Sequence, residues 1–131
     1  MHVYSFEKLQ VWQETRRLTK SVYIITLKYP EAERFGLISQ MRRAAISVGS
    51  NIAEGSSRKT SKDQSHFYTI AFSSLLELLS QLIVSYDLGY VDDTHYSELR
   101  VSIEQISKQI SALSKSILTP NPKHPTLNPK L

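Results

Sequence analysis

Tyr68-Thr69-Ile70-Ala71-Phe72-Ser73-Ser74-Leu75-Leu76-Glu77-Leu78-Leu79-Ser80-Gln81-Leu82-Ile83-Val84-Ser85-Tyr86 carries two apolar seams in one stretch. Tyr68, Ala71, Leu75, Leu78 and Leu82 form the first, and Phe72, Leu76, Leu79, Ile83 and Tyr86 the second. Both advance by alternating steps of three and four, the repeat of a helix that buries one stripe. A helix inside a bundle of four ordinarily buries a single broad stripe. Two seams therefore mean either one wide core-facing band or a second partner, and another copy of the chain is the simplest second partner. The segment from Gln64 to Tyr86 holds one charge, Glu77, and has the length of a membrane span. His66, Ser73, Ser74, Ser80, Gln81 and Ser85 interrupt it, however, and a spanning helix wants about 20 predominantly apolar residues. No membrane association is expected.

The flanks of this stretch carry helix-end chemistry. Ser61-Lys62-Asp63-Gln64 has the form of a capping box that starts the helix at Ser61. Asp87-Leu88-Gly89-Tyr90 has the form of a left-handed glycine cap followed by an apolar residue that folds back. Asp92 is placed to cap the next helix, whose Tyr96, Leu99, Ile103, Ile106, Ile110, Leu113 and Ile117 form one heptad seam on an otherwise polar surface. Upstream, a helix is expected from about Gly36 to Ser57 with Ile38, Met41, Ala45, Val48 and Ile52 as its seam. Its Ala44, Ala45, Ser47, Gly49, Ser50 and Ala53 are small enough to let a neighbouring backbone come close. The first helix is expected from Phe6 to Tyr29, with Ser5 as N-cap, Pro30 as terminator and Val11, Leu18, Val22, Ile25 and Tyr29 inward. Four helices with short connections predict an all-α, antiparallel up-and-down four-helix bundle over residues 1–118. The remaining prolines fall in the aperiodic segment 119–131, expected as a flexible tail.

With 131 residues the chain suits one domain, and 40% apolar and 21% charged residues suit a packed core. There is no cysteine, which removes disulfides, thiolate metal sites and a cysteine nucleophile. The opening residues Met1 to Lys8 lack a signal-peptide apolar region, so a cytoplasmic location is expected. The net charge of +4 hides a polarity. Residues 1–62 hold eleven basic and five acidic side chains, whereas residues 63–118 hold three basic and seven acidic. A basic half suits either a polyanion or an acidic surface of a neighbouring subunit. Arg16, Arg17 and Lys20 on the first helix and Arg58, Lys59 and Lys62 around the second turn are the candidate nucleic-acid contacts. No aromatic platform is expected among them, so base stacking is expected to contribute little.

Catalytic motifs are missing from the sequence. It has no phosphate-binding glycine loop, no His-Glu-x-x-His and no Glu-x-x-His pair of a di-iron bundle. Asp63 and His66 share a helix face at i, i+3, but this is too little for a metal site and reads as surface pairing. Neither a cofactor nor enzymatic activity is expected. One polar stripe stands out on the second helix, made of Gln40, Arg43, Ser47, Asn51, Glu54 and Arg58. Glu77, set between Leu76 and Leu78, is its natural partner, since an unpaired charge among apolar neighbours is costly. Arg42 or Arg43 with Glu54 and Glu77 is thus expected to form a buried or interfacial network together with Gln40, Ser47 and Asn51. A catalytic carboxylate pair of Glu54 and Glu77 is the sharper and less favoured alternative.

Several runs resemble a known family. They are Phe6-Glu7-Lys8-Leu9-Gln10-Val11-Trp12, Glu33-Arg34-Phe35-Gly36-Leu37, Gln40-Met41-Arg42-Arg43-Ala44-Ala45 and Ser47-Val48-Gly49-Ser50-Asn51-Ile52-Ala53-Glu54-Gly55, with Ser73-Ser74, Glu77-Leu78 and Asp87-Leu88-Gly89 further on. Together they resemble the four-helix-bundle proteins encoded by intervening sequences in bacterial 23S rRNA genes. Ser73 stands where that family often has glycine, and the Pro-rich tail lies outside the likeness. The resemblance implies an antiparallel bundle, a ring-like homopentamer and no known catalytic activity. Related bundles are accessory proteins of diversity-generating retroelements, where a basic surface is associated with nucleic acid and a reverse transcriptase. Expected partners are therefore further copies of the chain, RNA or DNA with RNA favoured, and, in the alternative reading, a partner protein contacted through the same basic residues.

Overall fold

The structure, a computed structural model, describes residues 1–118 and places in them four α-helices and no strand: α1 Gln10–Thr26, α2 Ser39–Ser56, α3 Ser61–Asp87 and α4 Asp93–Leu118. The tail expected over residues 119–131 lies outside the described residues. Local chemistry sets each helix end. Thr60, in extended conformation, accepts the Asp63 amide on its hydroxyl at 3.1 Å and the Gln64 amide on its carbonyl at 3.0 Å. Thr60 is therefore the N-cap of α3 in place of the expected Ser61, and the Gln64 side chain turns instead to the Arg58 carbonyl. The other end of α3 closes as expected. Gly89 takes φ +80°, its N–H reaches the Tyr86 carbonyl, and the Tyr90 N–H reaches back to Ser85, the paired bonds of a Schellman cap. Asp92 then accepts the His95 amide at 2.8 Å and starts α4.

The first two helices begin later than the sequence suggests. Ser5–Lys8 form a separate 3₁₀ turn, because Glu7 takes the Tyr4 amide at 2.8 Å and Leu9 steps out at ψ 126° before α1 begins. At its far end the amides of Leu27, Lys28 and Tyr29 bond three residues back, a tightened turn that Pro30 terminates. Arg34–Ile38 form a widened turn broken at Gly36, with φ −104° and ψ −112°, so α2 starts at Ser39.

Cross-helix contacts fix the register. From α1 to α2, Thr15 lies against Gly49, Thr19 bonds to Ala45 and Arg42 bonds to Thr26. From α2 to α3, Met41 meets Ser85, Ser47 meets Ser74 and Gly55 meets Tyr68. Numbers rise on one helix as they fall on the other, so both pairs are antiparallel. α3 with α4 and α1 with α4 complete a closed four-helix bundle. The first α3 seam is wholly buried, as are Met41, Ala45, Val48 and Ile52 of α2 and Leu99, Ile103, Ile106 and Ile110 of α4. α1 departs from expectation by burying Thr15 and Thr26 beside Leu18 and Val22. Their hydroxyls donate to the carbonyls of Trp12 and Val22 at 2.7 Å, which removes the cost of burying them.

Candidate nucleic-acid interface and assembly face

All six candidate cations are exposed. Arg16, Arg17 and Lys20 project from α1, while Arg58, Lys59 and Lys62 surround the α2–α3 turn. Arg17 pairs with Glu14 at 3.1 Å, and Arg58 pairs with Glu54. Arg16, Lys20, Lys59 and Lys62 have no acidic partner among the described residues. Asp63 and Glu54 share the α2–α3 end with these cations, while five further carboxylates lie at the other connections, Glu31 and Glu33 between α1 and α2 and Asp87, Asp92 and Asp93 around the α3–α4 connection. In the antiparallel register those two connections share one end of the bundle and the α2–α3 turn occupies the other. The expectation that no ring accompanies the cations needs correction. The Arg16 guanidinium lies 5.6 Å from the Trp12 ring centroid, and that of Arg58 lies 4.8 Å from Phe67.

The polar stripe of α2 divides rather than forming one network. Ser47 and Ser74 share a hydrogen bond of 2.8 Å between hydroxyls, and Asn51 donates back to Ser47. Arg42 points the other way, donating to Thr26 at 2.9 Å and to the Tyr23 carbonyl while its guanidinium covers the Tyr23 ring. Glu54 is claimed by Arg58 one turn away, where the i, i+4 spacing brings opposite charges together. Glu77 and Arg43 are exposed and make no ion pair among the described residues. Within one chain Glu77 is therefore not the buried partner expected of it, because it faces outward between the first α3 seam and α2. It lines an open groove of about 520 Å³ with Gln40, Arg43, Ser47 and Ser74. Gln81 bridges weakly from Gln40 to Glu77, at 3.5 Å to each.

The second α3 seam lies along α4. Phe72 and Leu79 are partly buried against the core, Ile83 and Tyr86 are partly buried, and Leu76 is 48% exposed. Tyr86 already has partners in the chain. It stacks on Tyr96 at 4.0 Å, and its hydroxyl donates to Asp93 at 2.5 Å, a bond that holds the phenol above its ordinary pKa. Asp92 is held below the usual carboxylate range, first by the His95 amide it caps and then by the His95 ring. Leu76, Leu79 and Ile103 floor a groove of about 540 Å³ rimmed by Arg100, Val101 and Glu104. α3 is long and apolar enough to cross a membrane. Within the chain most of its apolar side chains are buried or partly buried, and the large ones left exposed are Leu76 at 48% and Val84 at 45%.

Four antiparallel helices with short connections and one over-apolar member define an up-and-down four-helix bundle. The sequence then places it more narrowly. Residues 7–112 match the model of the 23S rRNA-intervening sequence protein family, and the chain belongs to that family. Its fold is similar to that of a crystal structure from Bacteroides thetaiotaomicron VPI-5482, a protein of unknown function from the S23 ribosomal protein family. The TM-score is 0.72 at 19% identity, over 80% of this chain and 98% of that one. No curated protein matches significantly.

Proposed function

We propose that this chain is a non-catalytic, self-assembling cytoplasmic bundle that binds nucleic acid, RNA foremost, through Arg16, Arg17, Lys20, Arg58, Lys59 and Lys62. The observation that supports this most is the set of four exposed cations without acidic partners, Arg16 and Lys20 along the middle of α1 and Lys59 and Lys62 at the α2–α3 turn, the end of the bundle away from the acidic connections. Such cations bind phosphates by releasing condensed counterions, without reading sequence. The family's name, which refers to 23S rRNA, favours RNA. Assembly through Phe72, Leu76, Leu79, Ile83 and Tyr86, with a five-membered ring favoured by the resemblance, would repeat the basic cluster on every copy and add weak contacts through multivalency. The apolar groove at Leu76 and Val101 equally suits a partner protein, the second reading, in which the basic residues serve protein contacts.

The test is a salt titration of binding to mixed-sequence RNA and DNA. The wild-type protein should bind at about 50 mM salt, with log affinity falling linearly against log salt. Arg16→Glu/Arg17→Glu and Arg58→Glu/Lys59→Glu should each flatten that slope. No binding at low salt, or slopes indifferent to charge reversal, would favour the protein-directed reading.

A further inference from the structure

We infer that the nucleic acid taken by this surface is single-stranded, and that unpaired bases stack on two arginine–aromatic platforms, Arg16 over Trp12 and Arg58 over Phe67. The inference rests on the nucleic-acid reading above and specifies which form of polyanion it takes.

Both rings are held by their surroundings. The Trp12 indole nitrogen lies 3.7 Å from where a Cβ on Gly49 would stand, and Phe6 meets Trp12 edge-on at 5.0 Å. Phe67 packs its Cβ 3.1 Å from the corresponding point on Gly55 and meets His66 edge-on at 5.1 Å. Gly49 and Gly55 are six residues apart, about 9 Å along α2. The platforms therefore flank the C-terminal half of α2, one on its α1 side and one on its α3 side, the second adjoining the turn that carries the unpaired Lys59 and Lys62. Planes fixed in advance lose little entropy when a base settles on them.

The two kinds of cation divide the work. Lys59 and Lys62 are point charges without acidic partners, suited to phosphates. Arg58 already has its charge offset by Glu54, so what it adds is a plane held over Phe67 rather than a further net charge. A guanidinium or an aromatic ring offers that plane only to a base whose face is free, and in a duplex every base face except those at the ends is covered by its neighbours. A surface of lysines alone would take duplex and single strand by charge density, whereas paired platforms favour the unstacked strand.

Trp12 is the sole tryptophan, so its fluorescence reports the first platform directly. The probes are oligouridylate and a blunt-ended RNA duplex with the same number of phosphates, at the same salt. Oligouridylate should quench Trp12 and bind more tightly than the duplex. Phe67→Leu, which keeps bulk but loses the π face, should weaken single-strand binding roughly five- to 150-fold, the equivalent of one stacked base at about 1–3 kcal/mol, and leave the salt slope unchanged. Phe67→Tyr should restore it. Equal affinity for the two probes, or a Phe67→Leu protein that binds like wild type, would overturn the inference and leave the nucleic-acid reading standing. Failure of both probes to bind at about 50 mM salt would remove both.

Discussion

The two sides of α3 are built differently. Toward α2, Ala44, Ala45, Gly55, Ala71 and Ser74 are buried and small, the Ser47 and Ser74 hydroxyls meet at 2.8 Å, and Leu75 and Leu78 are 0% and 1% exposed. Toward α4, Phe72, Leu76, Leu79 and Ile103 are all large, and a groove stays open with Leu76 at 48% and Val101 at 64% exposure. Small residues let two backbones close on each other. Where large side chains meet from both helices, as Leu76 and Leu79 meet Ile103 and Val101, the contact leaves apolar surface above it. The closed side holds the monomer together, and the open side is where assembly is proposed.

That contrast can be broken by substitution on each side. The largest effect should come from Leu78→Ala, which removes a fully buried side chain and should cost about 2–5 kcal/mol in denaturant unfolding. Gly55→Ala should come next. The added Cβ would stand 2.7 Å from the Tyr68 ring, an overpacking cost of about 1–3 kcal/mol offset in part by about 1 kcal/mol of helix propensity. Leu76→Ala on the open side should change the stability of the unassembled chain by no more than about 0.5 kcal/mol. Equal losses at Leu76 and Leu78 would erase the distinction between the two faces.

The polar stripe sharpens the same comparison at smaller scale. Arg43→Ala and Glu77→Gln remove exposed groups without ion partners, so each should alter single-chain stability by no more than about 0.5 kcal/mol in thermal or denaturant melts. A loss of about 3–5 kcal/mol would mean instead that the two are engaged as a buried pair, as the apolar neighbours of Glu77 first suggest.

The sequence was most legible where the signal is local or periodic. Gly89 and Tyr90 are adjacent and need no tertiary knowledge to be read as a cap, and Tyr68, Ala71, Leu75, Leu78 and Leu82 announce a core seam by spacing alone. Thr15 and Thr26 break the apolar spacing of α1 and so carry no inward signal in the sequence, although both satisfy their hydroxyls on their own helix. The direction of Arg42 is likewise absent from the sequence, because its partner, Thr26, lies on another helix at no fixed spacing. Trp12 and Arg16 stand at i, i+4, so that platform could have been read from the sequence. Arg58 and Phe67 meet only across the α2–α3 turn, so theirs could not.

Whether another copy covers the open side of α3 is measured directly by the mass of the native particle. Light scattering on the eluted wild-type protein should give a multiple of 15.0 kDa, with five copies favoured. Leu76→Glu should lower that mass while helical circular dichroism stays unchanged. A wild-type particle of 15.0 kDa at micromolar concentration would contradict the account.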